Sequence, residues 1–394
     1  MVNSLLRRAW DNLRQVNPAA LVNAGIGSVE ALLRRPRPWS YPWKLDIVLT
    51  KACNLNCRFC ISYGSLNEDR WMDFRLYERI AHTLFPWVHS LFFCSGGEGL
   101  LYPHFREALD LARRYRTFTT LVTNGMLLNR RTADWLVASQ NLHELSVSFD
   151  GARKETLEGL RRGANYELIL ENLAYLHDEK RRRSATFPRL SLHFVIMASN
   201  ARELPELFPL AARVGVSRLW VSYLNVCNDL DPGESLYYHP QLAAEVFRES
   251  RRSAAACGIS LTLPAVPGQD VNNRRCLKPW EFCLIDTDGS LRLCYYSWRQ
   301  RFGFFAEDFG RLWRGELYQR LRRTLESPEP EYPYCRYCDS HRGVNWESSH
   351  FQERHAEAYV IQGLEHLQVP FQSRRDENLA ARKTGTSSRQ GRES

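Results

Sequence analysis

Between Lys44 and Tyr223 the chain carries six short apolar, β-branched runs: LDIVLT (45–50), SLFFCS (90–95), FTTLVT (118–123), ELSVSF (144–149), RLSLHFVIM (189–197) and SRLWVSYL (217–224). In the intervals 73–84, 105–115, 130–138, 166–180 and 203–214 the apolar residues instead recur every three or four positions. Short apolar runs bounded by turn residues read as buried strands, and the longer spacing reads as helices with one apolar face. Strand and helix alternating in this way, without a returning sandwich pattern, predict a parallel sheet with helices outside it. The periodicity does not choose between a barrel and an open sheet.

Upstream, residues 1–43 read as a helical extension with basic edges. Leu5, Leu6, Trp10 and Leu13 stand at helical spacing, 29–33 is apolar again, and Arg34-Arg35-Pro36 closes the stretch. Downstream, 239–257 reads as a helix and 259–263 as a short strand. FCLIDTDGSLRLCYY (282–296) is two strands around Asp288-Gly289, a strong hairpin signal. A helix at 312–325, a proline-bounded approach at 328–333 and a last helix within 351–367 follow. Beyond Gln372 the Arg-, Ser- and Gly-rich composition is that of a disordered tail. The organisation expected is an extension at 1–43, a βα unit at 44–258, a smaller unit at 259–350, a helix at 351–372 and a tail at 373–394.

Composition narrows the class without identifying it. A chain of 394 residues with 44% hydrophobic and 25% charged residues is ordinary globular material, too long for a single core. Its net charge of +9 is spread along an arginine-rich chain and says little alone. Arg181-Arg182-Arg183 and Arg322-Arg323 read as solvated helix ends, and no basic face interleaved with aromatics points to a nucleic-acid partner. No apolar run approaches the ~18–20 residues that cross a bilayer. Charges interrupt the N-terminus too early for a secretory signal, so a cytoplasmic protein without a membrane span is expected.

Eleven cysteines is a high count for such a protein and an odd one for a disulfide framework. Their spacing says more. Cys53, Cys57 and Cys60 follow the first strand as CxxxCxxC, Cys276, Cys283 and Cys294 share one stretch, Cys335 and Cys338 form CxxC, and Cys94, Cys227 and Cys257 stand singly. Proteins of this class place chemistry at the C-terminal ends of their strands. Three thiolates there can hold three irons of a cubane and leave the fourth open to a ligand. Zinc, which normally takes four ligands, and buried structural thiols are the alternatives.

With Phe59 before its last cysteine, this knot resembles the cluster motif of the radical S-adenosylmethionine (SAM) superfamily, and the likeness runs from Lys44 to Cys338. The resemblance implies an α/β fold, a partial (βα)6 TIM-like barrel with a small C-terminal hairpin-plus-helix domain for an auxiliary cluster. It implies a [4Fe-4S] cluster on Cys53, Cys57 and Cys60, with SAM bound at the open iron. Reductive cleavage then gives a 5′-deoxyadenosyl radical that abstracts hydrogen from a substrate, with a flavodoxin- or ferredoxin-type reductant as electron source. Ser95-Gly96-Gly97-Glu98 looks like the family's GGE motif, whose glycines let backbone approach the ligand and whose carboxylate pairs with the methionyl ammonium. Gly99 stands where proline is more usual. Phe59, Gly96, Gly97 and Glu98 are therefore cofactor-binding candidates. Asn124, Ser148 and Asp150, at the ends of the third and fourth strands, join them, with a turn or helix N-cap as the alternative for each.

The second cysteine set resembles a twitch or SPASM-like extension, in which CxxxPW (276–280), a hairpin with DG at its turn, FGRLWRGELYQRLRRTL (309–325) and CxxC recur in order. The likeness implies one auxiliary [4Fe-4S] cluster on Cys276, Cys294, Cys335 and Cys338, although four thiolates also suit a structural zinc. Cys283 faces the core, is an alternative ligand, or is part of a second site. The spacing is nearest to the group that oxidises aminocyclitol alcohols. The expected reaction is hydrogen abstraction from a small polar, sugar-like or aminocyclitol substrate, ending in oxidation. Redox-neutral epimerisation or dehydration is an alternative, with Cys227 after the sixth strand as candidate hydrogen donor or simply a buried thiol. Modification of a ribosomal peptide is another, disfavoured because residues 1–43 are too few for a winged-helix leader module. An inert scaffold is the reading from a different class, and the intact knot and glycine pair stand against it. Trp298 and Trp346 are candidate pocket walls.

Overall fold

The structure, a computed structural model, describes residues 17–60, 71–226, 230–267, 276–297, 300–306, 308–336 and 338. Cys227, Trp298, Trp346, the helix expected at 351–372 and the tail at 373–394 lie outside the described residues.

Helix α1 (Pro18–Leu32) begins where Asn17 accepts a bond from the Ala19 amide and Pro18 fills a position whose N–H would have no partner. Strand β1 (Lys44–Ile47) and the two-residue β2 (Asn56–Cys57) follow. The alternation then runs α2 (Phe74–Leu84), β3 (Ser90–Phe93), α3 (Phe105–Arg114), β4 (Phe118–Thr123), α4 (Arg130–Ser139) and β5 (Glu144–Ser148). It continues through α5 (Lys154–Leu160), a short β6 (Arg161–Arg162), α6 (Tyr166–Arg182), β7 (Arg189–Ile196), α7 (Leu207–Arg213), β8 (Arg218–Tyr223), α8 (Pro240–Cys257) and β9 (Ser260–Thr262). Last come α9 (Lys278–Glu281), β10 (Phe282–Ile285), β11 (Leu291–Arg292), α10 (Phe309–Trp313) and α11 (Glu316–Thr324).

Among the described residues one sheet of nine strands is ordered β11-β10-β1-β3-β4-β5-β7-β8-β9, and only the β10–β11 hairpin is antiparallel. The six runs of the sequence are β1, β3, β4, β5, β7 and β8, neighbours in chain order as successive βα crossovers produce. This is the α/β architecture expected. Strand β2 pairs with β6 alone, setting Cys57 against Arg161.

Three features differ from the sequence reading. The strand at 259–263, grouped there with the C-terminal unit, is the far edge of the main sheet, because α8 returns the chain to lay Ser260–Thr262 beside β8. The hairpin at 282–296 is continuous with the same sheet, since β10 runs parallel to β1 from Lys44–Phe282 to Ile47–Ile285. The helix expected at 312–325 is two, α10 and α11, broken where Gly315 takes an extended conformation (φ −70°, ψ 173°).

Side chains alternate across the strands. Leu45, Leu91, Leu121, Leu145, Leu192 and Leu219 are buried against the helices in one continuous core, where truncation of such a residue to alanine costs ~2–5 kcal/mol. Asp46, Cys94, Ser146, His193, Trp220 and Ser222 belong to the other face, the inner wall of the partial barrel, and several of them are only half-buried. Among the described residues no helix is long and apolar enough to cross a membrane.

Arg322, read from its charge run as a solvated helix end, is 2% exposed. Its guanidinium donates to the carbonyls of Pro279, Pro36 and Trp313 at 3.0, 3.0 and 2.9 Å and lies 4.5 Å over the Trp313 ring. The break between α10 and α11 leaves the Trp313 carbonyl without a helical partner, and a cation with five N–H donors satisfies it together with two loop carbonyls. Burial pushes its pKa down to about 9.

Candidate active site

Beyond β1 the chain passes through Thr50, Lys51 and Ala52 into the three-cysteine knot. The loop after β3 is clamped onto this entry, with Gly97 N donating to Thr50 O and Glu98 N to Ala52 O, both at 2.8 Å. Gly96 has φ +92°, and a Cβ there would stand 2.6 Å from Thr50 O; at Gly97 it would stand 1.9 Å from Ala52 O. No side chain fits either position. Both glycines are thus required by the approach of one loop to the other, where the sequence reading assigned them to the approach of backbone to ligand.

Glu98 braces the same junction from below. It is 2% exposed and accepts from Thr123 Oγ1 at 2.8 Å, Asn124 N at 2.8 Å and Leu100 N at 3.3 Å. Three of its roughly four lone-pair positions are therefore taken by its own chain, which leaves one for a cationic ligand. Burial pushes its pKa up. Asn124, expected to touch SAM, reaches the knot itself: Nδ2 donates to Asn54 Oδ1 at 2.7 Å and stands 4.0 Å from Cys53 Sγ. Ser148 is buried at the end of β5.

Asp150 is fully buried, accepts from Val195 N at 2.7 Å and pairs with Arg161 Nη2 at 2.6 Å. Arg161 in turn brings Nη1 to 3.9 Å from Cys57 Sγ and lies 5.4 Å over the Phe59 ring. Asp150 thus acts on the knot through Arg161, a residue that sequence reasoning missed. The β2–β6 pairing joins positions 104 apart in the chain, and no local spacing announces it.

Cys53 and Cys60 are half-buried and Cys57 is buried. Burial pushes Cys53 and Cys57 toward the protonated form, and Arg161 opposes this at Cys57. Among the described residues no three Cys, His, Asp or Glu side chains stand grouped for a metal ion. Three thiols on one loop with a guanidinium beside them fit an anionic iron–sulfur cluster, whose charge Arg161 offsets.

The second set gathers beside α1. Cys276 and Cys294 act on each other electrostatically, and burial pushes Cys276 up to about 11. Cys276 and Cys335 pack on one apolar group of Ala31, Trp280 and Leu325. Arg34 Nη1 donates to Cys276 O at 2.8 Å and Trp280 Nε1 to Arg35 O at 2.7 Å, so the basic end of α1 wraps this set. Cys338 packs on the main core. All four are half-buried cysteines, a donor set that fits a second cluster. Cys283 is fully buried in the main core.

Two further links were not visible in the sequence. Asp286 joins the knot entry to the hairpin, pairing with Lys51 at 2.8 Å and Arg292 at 2.9 Å. Burial works against its charge, yet the two cations hold it below the usual carboxylate range. On the inner wall, His193 stacks on Trp220 with centroids 3.6 Å apart, His193 Nε2 meets Ser222 Oγ at 2.8 Å, and Trp220 Nε1 donates to Ser146 Oγ at 3.1 Å. Burial pushes His193 down to about 3, so its imidazole is neutral.

Comparison with known proteins matches this layout. The Radical SAM superfamily model matches residues 47–208, and the model of an iron–sulfur cluster-binding domain, SPASM, matches 276–339. Mycofactocin maturase MftC of Mycobacterium ulcerans is 26% identical over 310 residues, which covers 75% of this chain and 80% of its own. PqqA peptide cyclase of Gluconobacter oxydans is 26% identical over 318 residues, covering 76% and 83%. Among solved structures, native anSMEcpe with bound AdoMet has a TM-score of 0.56 at 17% identity over 81% of this chain and 96% of that one, a likeness of fold.

Proposed function

The chain belongs to the radical SAM superfamily and carries a C-terminal SPASM iron–sulfur domain, and from that premise we propose that it abstracts a hydrogen atom from a peptide during that peptide's maturation. When bound, the first cluster and SAM supply the 5′-deoxyadenosyl radical. Cys53, Cys57 and Cys60 hold that cluster, and Arg161, kept in place by Asp150, offsets its negative charge. Glu98 and Asn124 fix the adjoining loops, and the lone pair of Glu98 not used by its own chain would be available to the methionyl ammonium. Cys276, Cys294, Cys335 and Cys338 hold one auxiliary cluster. A flavodoxin- or ferredoxin-type protein donates electrons.

The observation that carries the peptide reading is the long alignment with a cyclase named for its peptide substrate. It reverses the order expected from cysteine spacing, in which a sugar-like or aminocyclitol alcohol came first. Oxidation of a small polar molecule is the second reading, favoured by the hydroxyls of Thr120, Ser146, Ser148 and Ser222 on the inner strand faces. The test is anaerobic incubation of the reconstituted chain with SAM, dithionite and either short peptides encoded beside its gene or a panel of sugars and aminocyclitols. The peptide reading expects a changed peptide mass with matching 5′-deoxyadenosine. Turnover of a polyol with every peptide unchanged would overturn it.

A further inference from the structure

Asp46 has no part in the assignments above, yet it lies between both cysteine sets. It sits on the inner face of β1, fully buried, where β1 is flanked by β3 and β10. One carboxylate oxygen accepts from Cys94 N at 3.2 Å and the other from Ser95 Oγ at 2.8 Å. The Tyr295 phenol also donates to this carboxylate. Ser95 opens the Ser95-Gly96-Gly97-Glu98 loop, and Tyr295 directly follows Cys294. The Tyr295 ring packs on Phe282 at 5.0 Å but keeps 44% of its residue surface exposed, so the hydroxyl bond to Asp46 fixes it as much as packing does.

A carboxylate buried among neutral donors is costly to ionise. Burial pushes Asp46 up to about 6, with Ser95, the Cys94 amide and Tyr295 pulling it back. From the β3 side it is faced by the Cys94 thiol, on which Glu144 also acts. From the hairpin side it is faced by Tyr295, whose hydroxyl, at the covered end of the ring and beside the Asp46 carboxylate, is held protonated, with Lys278 6.0 Å over the ring.

We propose that Asp46 is a positioning residue that couples the SAM-facing loop to the auxiliary-cluster hairpin, anchoring Ser95 on one side and Tyr295, next to Cys294, on the other. This rests on the two-centre reading given above. An electron passed by the flavodoxin- or ferredoxin-type donor to a cluster on Cys294 would make that end more negative and favour protonation of Asp46; the proton would come from solvent and return there when the electron leaves. Reduction of the auxiliary centre is therefore coupled to proton uptake at Asp46, and the Ser95 anchor loosens as the carboxylate is neutralised.

The experiment is a redox titration of the reconstituted full chain, followed by electron paramagnetic resonance at several pH values. The auxiliary signal is identified as the one that persists in Cys53→Ala/Cys57→Ala/Cys60→Ala. In the wild type the midpoint potential falls as pH rises above about 6, by up to tenfold in the reduction equilibrium per pH unit, about 59 mV for one electron. Asp46→Asn flattens this slope, Asp46→Glu retains one, and Tyr295→Phe, which removes a donor to the ionised carboxylate, moves its onset to higher pH. Should Asp46→Asn fail to take up clusters, Tyr295→Phe decides alone. A flat wild-type profile, or an onset that does not move in Tyr295→Phe, overturns the coupling while about eight irons per chain leave the two-centre reading intact. A wild type holding only about four irons overturns both.

Discussion

Arg161 shows at the residue scale how the knot is built. It is buried, paired with Asp150, and set beside Cys57 by a two-residue ladder. Replacing it with methionine strands the Asp150 charge, and loss of one partner from a buried pair costs about 3–5 kcal/mol. Urea unfolding of the metal-free chain is expected to show that loss, and Arg161→Met/Asp150→Asn to recover most of it. Iron retention by the first cluster stays low in the double variant, because the charge offset at Cys57 is still missing. Gly97 gives a second residue-scale prediction. Gly97→Ala forces Cβ against Ala52 O and displaces the knot entry, so SAM binding by equilibrium dialysis is expected to fall at least about tenfold, roughly 1.4 kcal/mol. Gly25→Ala, with nothing near its added carbon, leaves binding unchanged and stabilises α1 by about 0.4–1 kcal/mol. The cysteines were legible because their spacing is local. Arg161 and Asp46 were not, since each takes its meaning from strands brought alongside by the fold.

Elements repeat the lesson. The βα alternation and the Asp288-Gly289 hairpin were readable because periodicity and turn chemistry are local signals. The break at Gly315 was not, because the apolar spacing of 312–325 continues unbroken through it. That break creates the socket for Arg322, whose bonds join the segment after α1, the start of α9 and the α10–α11 turn. Arg322→Met leaves three carbonyls without this donor, at about 1–3 kcal/mol for each that water cannot reach. The second cysteine set hangs on these segments. Iron analysis of Arg322→Met is expected to show selective loss of the auxiliary cluster with the first retained; equal loss of both would count against that dependence.

Across the whole molecule, two half-buried imidazoles contribute to the acid response. Thr119 N donates to His143 Nδ1 at 3.1 Å, a bond that only the unprotonated nitrogen can accept. Burial pushes His143 down to about 4 and His193 to about 3, from 6.5. At these two sites the unfolded chain binds more protons than the folded one between those values and 6.5, so their contribution to stability falls as pH falls through that window, while Asp46, raised to about 6, works in the opposite sense below that value. Urea midpoints of the metal-free chain from about pH 7 to about pH 4.5 are expected to decline, and less steeply in His143→Gln/His193→Gln. A parallel decline in both proteins would assign the acid sensitivity elsewhere.

The account as a whole requires two separate iron–sulfur centres with only the first able to cleave SAM. Iron, labile sulfide and 5′-deoxyadenosine should be measured together on anaerobically prepared wild type and Cys53→Ala/Cys57→Ala/Cys60→Ala. The expected result is about eight irons per chain falling to about four, with 5′-deoxyadenosine formation abolished while the remaining cluster persists. A wild type that binds zinc in place of iron, or a triple variant that still forms 5′-deoxyadenosine, would contradict it.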